Sequence, residues 1–433
     1  MRIRRLSILP LVIFLASLLA AGCGSSSSTP VTPPVSDDGQ SSSSSSSSAP
    51  TEPPVASIFP DYNSDPLPPD DAGMTATASD LAAGMGLGWN IGNTLEAIGG
   101  ETAWGNPEVT PELIALVKEA GFNAIRIPVA WHQYADEATA EIDADWLNRV
   151  RDVVQMVVDE DLYAVVNIHW DGGWLENNIG AEVDDEINDR QRAYWEQIAT
   201  HLRDFDAKVI FAGTNEPNVE NADQMDTLMV YLQTFIDAVR ATGGRNAYRT
   251  LVVQGPLTDI ELTSELWTRM PEDSVPDRLM MEVHFYTPYN FALMPEDQSW
   301  GNRFFYWGEG NRSSTDTDHN PTWGEEAHID DLMALMRHQF VDQGIPVLLG
   351  EYSAVRRTHL EGEALELHNA SRAYYHRYVT EQAFANGLLP FYWDNGGLGN
   401  NAFGLFDRNN LTLHDEQVMD ALLEALAASK GED

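Results

Sequence analysis

Eight short apolar runs recur along most of this chain, separated by stretches of helical spacing. The runs fall at residues 86–93, 123–131, 163–170, 209–217, 250–256, 279–286, 346–354 and 389–397. Runs of this length, bounded by Gly, Pro or polar residues, read as strands buried on both faces. Between them, residues 110–121 carry a capping threonine, a proline in the first turn and a terminal glycine. Residues 145–160 set Trp146, Val150, Val153, Val154 and Val157 at helical intervals. Residues 191–205, 225–241, 329–343, 364–386 and 414–427 read similarly, and 259–269 more weakly. Strand and helix alternating eight times predicts an α/β domain, a single (β/α)8 TIM barrel. A doubly wound open sheet would need a Gly-rich phosphate turn after an early strand. Gly84-Met-Gly-Leu-Gly88 falls before or inside the first run instead.

In such a barrel, function gathers at the C-terminal ends of the strands. Read there, the run ends supply Asn93, Arg126, His169, Asn215 with Glu216, His284 with Tyr286, Glu351 and Trp393. Buried strands do not otherwise choose such residues. Glu216 lies in Phe211-Ala-Gly-Thr-Asn-Glu-Pro-Asn218, and Glu351 in Ile345-Pro-Val-Leu-Leu-Gly-Glu-Tyr-Ser353. Two carboxyl groups on rigid strand ends are what glycosidic hydrolysis requires: one protonates the leaving oxygen and the other meets the anomeric carbon. Glu216 suits the acid and Glu351 the nucleophile. The alternative is a pair of ordinary surface acids. Arg126, costly on a buried strand unless paired, would keep Glu351 ionised or serve a structural salt bridge. His284 and Tyr286 are two apart and face one side, so His284 is expected to orient Glu216 and Tyr286 to support Glu351. Asn215 would bond a sugar 2-hydroxyl.

Pyranose rings pack their C–H faces on aromatic rings. Trp104, Trp131, Trp170, Trp174 and Trp393 lie at or after run ends, and the connection 287–328 holds Trp300, Phe304, Phe305, Tyr306, Trp307 and Trp323. The connection would build a cleft wall, or its rings would simply pack. His169-Trp-Asp171 has no second histidine at ligand spacing, so no metal is expected, and two-carboxylate chemistry requires no cofactor.

The formal charge of −42 sets the chain against nucleic acid and anionic membrane surfaces, which select basic patches. Lysines number three, and an acidic, lysine-poor surface fits tolerance of high salt or simple solubility. The single cysteine, Cys23, excludes an intramolecular disulfide. A charged start and an apolar run at 6–21 predict a signal peptide over 1–22. Leu18-Leu-Ala-Ala-Gly-Cys23 resembles the bacterial lipoprotein signal, which implies a lipid anchor on Cys23 and an outer-membrane or cell-surface address, with plain secretion the alternative. Residues 23–79, rich in Ser and Pro, are expected to form a disordered linker, and 80–433 the catalytic domain.

Residues 81–428 resemble glycoside hydrolase family 5, most closely its subfamily 4 cellulases. The matching pieces are Gly88-Trp-Asn-Ile-Gly-Asn-Thr-Leu-Glu96, Thr102-Ala-Trp-Gly-Asn-Pro107, Ile125-Arg-Ile-Pro-Val129, Asn167-Ile-His-Trp-Asp-Gly-Gly-Trp174 and Asn215-Glu-Pro217. Val283-His-Phe-Tyr-Thr-Pro-Tyr-Asn290, Gly344-Ile-Pro-Val-Leu-Leu-Gly-Glu-Tyr352 and Tyr392-Trp-Asp-Asn-Gly-Gly397 follow in order. The resemblance implies a retaining endo-β-1,4-glucanase with Glu216 as acid/base and Glu351 as nucleophile. It implies supporting roles for Arg126, His169, Asn215, His284, Tyr286 and Trp393. The expected substrate-binding set is Asn93, Glu96, Trp104, Trp131, Trp170, Trp174, Trp393 and Asn395. Trp170 stands where relatives often have a second histidine and Glu96 where they often have aspartate, which bears on substrate preference. Residues 297–320 look inserted. The expected partner is a β-glucan of cellulose or mixed-linkage type, acted on by a monomer. Xyloglucan, mannan and xylan are the alternatives, as is a glycan-binding lipoprotein that has lost catalysis.

Overall fold

The computed structural model describes residues 57–431. Eight parallel strands close into a barrel in chain order. They are β1 (Gly88–Ile91), β2 (Ala124–Ile127), β3 (Tyr163–Asn167), β4 (Val209–Ala212), β5 (Leu251–Gln254), β6 (Leu279–Phe285), β7 (Val347–Tyr352) and β8 (Leu388–Asp394). The helices are α1 (Ala78–Gly84), α2 (Pro111–Glu119), α3 (Ala144–Asp159), α4 (Asp185–His201), α5 (Ala222–Ala241), α6 (Ile260–Leu266), the short α7 (Tyr289–Ala292), α8 (Glu326–Gln339), α9 (Gly362–Ala385) and α10 (Glu416–Lys430). Each of the eight apolar runs holds one strand, β8 beginning one residue ahead of its run. Helix α4 starts at 185 rather than 191, because Asp184 accepts from the Glu186 and Ile187 N–H groups and caps it there.

Strand alternation divides the core. Trp89, Ile125, Val166, Phe211, Val253, Met281, Leu349 and Tyr392 face the helices. Ala124, Val165, Ile210, Val252, Met280, Leu348 and Phe391 fill the barrel with Met74, Ala78, Leu81 and Met85. Those last four belong to the segment ahead of β1, so that segment plugs the N-terminal mouth. The plug is tied by Ala207 N–H donating to Gly73 O at 3.1 Å and by Arg278 Nη2 donating to Met74 O at 3.0 Å.

This corrects the expected linker boundary. Residues 57–79 pack on the barrel and are not part of a free tether. Phe59 is buried beneath the Arg190 guanidinium, 4.7 Å from its ring centroid, and the Tyr62 N–H donates to Glu196 at 2.9 Å. Prolines and acids dominate the composition there, but a few apolar anchors suffice to fix an extended segment. The signal peptide, Cys23 and the linker up to 56 lie outside the described residues.

One irregularity matters for the site. On β7, Leu348 points into the barrel, so strict alternation would turn Gly350 inward and Glu351 outward. The register with β6 slips here: Val283 pairs with Leu349, but His284 pairs with Glu351. The extra residue is Gly350, and the bulge re-aims Glu351 into the barrel mouth.

Candidate active site

Above the apolar filling, the next inward positions are polar: Asn90, Arg126, Asn167, Gln254 and Glu282 are all buried. Arg126 is the hub. Its Nη1 donates to Glu351 Oε1 at 2.8 Å and to Asn90 Oδ1 at 3.0 Å, and its Nη2 donates to Asn215 Oδ1 at 2.8 Å. Its Nε lies 2.8 Å from Glu282 Oε1, in an ion pair with no solvent exposure on either side. Gln254 Nε2 donates to the other Glu282 oxygen at 2.6 Å. A buried charge set of this kind survives only when every member is held, because breaking one pair leaves an uncompensated charge.

Glu351 is gripped on both oxygens, by Arg126 and by the Tyr286 hydroxyl, which donates at 2.9 Å. Its side chain is 6% exposed, against 42% for Glu216. Burial pushes the Glu351 carboxyl up, and the positive charges of His284 and Arg126 oppose that push. Glu216 reaches the solvent side and meets His284 Nδ1 at 2.7 Å. A carboxyl oxygen of Glu216 lies within 4.8 Å of one of Glu351. That spacing suits direct attack by one carboxylate, since an inverting pair stands about 6.5–9.5 Å apart to admit water.

His284 has carboxyl groups on both ring nitrogens: Glu216 at 2.7 Å and Glu282 at 3.3 Å. Burial works against its proton, but Glu351, Glu216 and Glu282 prevail and raise it to about 10. It therefore stands as an imidazolium donating on both sides. His169 is the opposite case. Burial, then Arg126 and His284, press it well below its ordinary value, so it is neutral. Its ring stacks parallel to the half-buried Trp393 indole, with centroids 5.7 Å apart. Glu216, His284 and Glu351 are the described grouping whose donor atoms could reach one cation. A cation there would have to displace the His284 proton and compete with Arg126, so the cluster is built to share protons rather than to hold a metal.

The expected core set of Arg126, His169, Asn215, Glu216, His284, Tyr286, Glu351 and Trp393 thus assembles at one mouth of the barrel. The expected binding set divides. Trp104 and Trp170 are exposed, at 45% and 43%. Trp131 and Trp174 are not available to a ligand: both are buried, with indole N–H groups donating to Asn167 O at 3.0 Å and to Asp171 at 3.1 Å. Glu96 is also buried. Its carboxyl accepts from the Thr94 N–H at 2.8 Å and from the Asn93 N–H, and burial raises it to about 7. It fixes the turn where Asn93 takes a φ of 58°. Asn395 uses its side-chain oxygen on the Gly397 and Phe403 N–H groups, at 3.1 Å each. In the connection after β6, Phe304, Phe305, Tyr306 and Trp307 are buried, and Trp300 and Trp323 are the exposed rings. Asn90, Gln254 and Glu282 were not anticipated. Glu282 was legible, being two residues before His284 and a charged residue inside an apolar strand.

A closed parallel barrel with a paired, unequally exposed carboxyl couple at its C-terminal mouth defines a glycoside hydrolase of the two-carboxylate class. The comparisons with known proteins agree. The family profile for cellulase (glycosyl hydrolase family 5) matches residues 90–399, and the chain belongs to that family. A xyloglucan-specific endo-β-1,4-glucanase of Bacteroides ovatus is 38% identical over 382 residues, covering 83% of this chain and 72% of its own. The solved structure of a Bacteroides ovatus xyloglucanase with a heptasaccharide superposes with a TM-score of 0.77 at 35% identity, covering 86% of this chain and 81% of that one. A broad-specificity endoglucanase of Bacteroides salanitronis, labelled subfamily 4, gives a TM-score of 0.72 at 34% identity, covering 82% of this chain and 96% of that one.

Proposed function

We propose that the chain is a retaining endo-β-1,4-glucanase that cleaves internal bonds of cellulose-type or mixed-linkage β-glucans by double displacement. The carrying observation is the Glu216–Glu351 couple, with carboxyl oxygens within 4.8 Å of each other. Glu351, held by Arg126 and Tyr286, attacks the anomeric carbon. Glu216 gives its proton to the leaving oxygen and then takes one from the water that frees the sugar. Trp393, stacked on neutral His169, offers an apolar face to a pyranose ring. The test is reducing-sugar release from carboxymethylcellulose, mixed-linkage glucan, xyloglucan, xylan and mannan, with Glu351→Gln as the blank. Glu351-dependent release from the first two supports the reading. Release from none, or release that survives Glu351→Gln, overturns it.

Xyloglucan is the second reading, favoured by the xyloglucan specificity named for the Bacteroides ovatus relative. Release from xyloglucan alone would make it the first. We further propose export as a lipoprotein anchored through Cys23 and action as a monomer. Among the described residues no helix is long and apolar enough to cross a membrane, so anchoring would fall to the lipidated cysteine. Radiolabelled palmitate incorporated by the full chain but not by Cys23→Ser would support the anchor, and equal labelling of both would sink it. Light scattering of the purified catalytic domain tests the monomer.

A further inference from the structure

We infer that Glu176 is a positioning residue of this reaction: it fixes the backbone that carries Glu216. The inference rests on the acid/base reading of Glu216. Glu176 opens a single helical turn after β3 (Glu176–Asn178) and is 5% exposed. It holds the acid/base loop at two points. Its Oε1 accepts from the Glu216 N–H at 2.6 Å, and its backbone carbonyl accepts from the Asn218 N–H at 3.2 Å. The Asn215 side chain faces the same carboxyl and offsets part of its upward push. Asn215 also accepts from Arg126, so the residue next to Glu216 is tied to the charge hub. No step of the double displacement uses it.

The charged groups facing Glu176 are Glu216 from the end of β4 and His284 from the end of β6. Burial, and then Glu216, push Glu176 up to about 8, so it is neutral over the acidic and neutral range. When Glu216 releases its proton to the leaving oxygen, the new carboxylate meets an uncharged neighbour.

The experiment is kcat and KM on the polysaccharide for the wild-type chain, Glu176→Gln and Glu176→Ala, with Glu216→Gln alongside. Glu176→Gln keeps an acceptor for the Glu216 N–H but cannot ionise. Glu176→Ala loses the acceptor, and its kcat should fall about 10–100-fold with KM little changed, as expected when a catalytic group is misplaced. Glu176→Gln should restore most of that loss. A Glu176→Ala enzyme with wild-type kcat, or a Glu176→Gln enzyme no better than Glu176→Ala, with Glu216→Gln inactive, overturns this inference alone. Polysaccharide hydrolysis by Glu216→Gln at the wild-type rate overturns the acid/base reading and the inference with it.

Discussion

Single side chains in this site are assigned by what they touch and by how far water reaches them. Glu351→Gln should lower kcat by roughly 10⁴-fold or more, because a nucleophile has no substitute. Glu216→Gln should cost about 10²–10⁴-fold on the polysaccharide, the range for general acid–base groups. The tryptophans give a sharper division. Trp131 is buried and hydrogen-bonded, so Trp131→Ala should destabilise the protein by about 3–5 kcal/mol. Trp170 is 43% exposed, so Trp170→Ala should change stability by less than about 0.5 kcal/mol and be read in KM. Thermal melts of the pair check this, and equal losses would mean that Trp170 is also a packing residue.

At the scale of the element, β7 is the informative strand. Its bulge turns Glu351 inward, and the bulged residue has no room for a side chain: a Cβ on Gly350 would lie 2.1 Å from Glu282 Oε1. Gly350→Ala should push Glu282 off Arg126, costing about 1–3 kcal/mol of stability and lowering kcat more than it changes KM. Steady-state kinetics with a denaturation curve test it, and a fully active Gly350→Ala would mean that the bulge is not required. The segment ahead of β1 is the second such element. Met74, Ala78 and Leu81 close the N-terminal mouth, so a chain starting at residue 80 should melt well below one starting at residue 57.

For the whole molecule, protons and salt set the operating range. Burial raises the carboxyls of Glu96, Asp171 and Glu176 to about 7, 6 and 8, and neighbouring carboxyl groups, against burial, raise His284 to about 10. Each binds its proton more tightly folded than unfolded. The stability they contribute is complete below their ordinary values and is lost as pH rises through the folded ones. Asp415 runs the other way: despite burial, Arg372 and Arg356 hold it below its ordinary value, and its contribution is lost as pH falls through the acid range. The melting temperature should therefore be higher near pH 5.5 than near pH 8.5, and 1 M NaCl should not abolish the difference, because salt screens surface repulsion more than buried groups. Calorimetry at both pH values and both salt levels decides; a flat profile in salt would assign the trend to the net charge of −42. Retained activity in 1 M NaCl would favour salt tolerance as the use of that charge, and a sharp loss would leave solubility.

The sequence by itself determined the eightfold alternation and the placement of polar residues at strand ends, because strand and helix periods and turn residues are local properties. It placed the expected core set, from Arg126 to Trp393, at strand ends, and one barrel topology carries all the strand ends to one face. It did not determine which tryptophans would be reachable: Trp131 and Trp170 have like surroundings in sequence, and only packing separates them. It did not reveal that Phe59 and Met74 anchor a Pro-rich segment, because long-range burial leaves no local period. Nor did alternation predict an inward Glu351; that took a one-residue slip against β6. The clamp of Glu176 on Glu216 was likewise beyond reading, because 40 residues separate them and only the closed barrel brings them together.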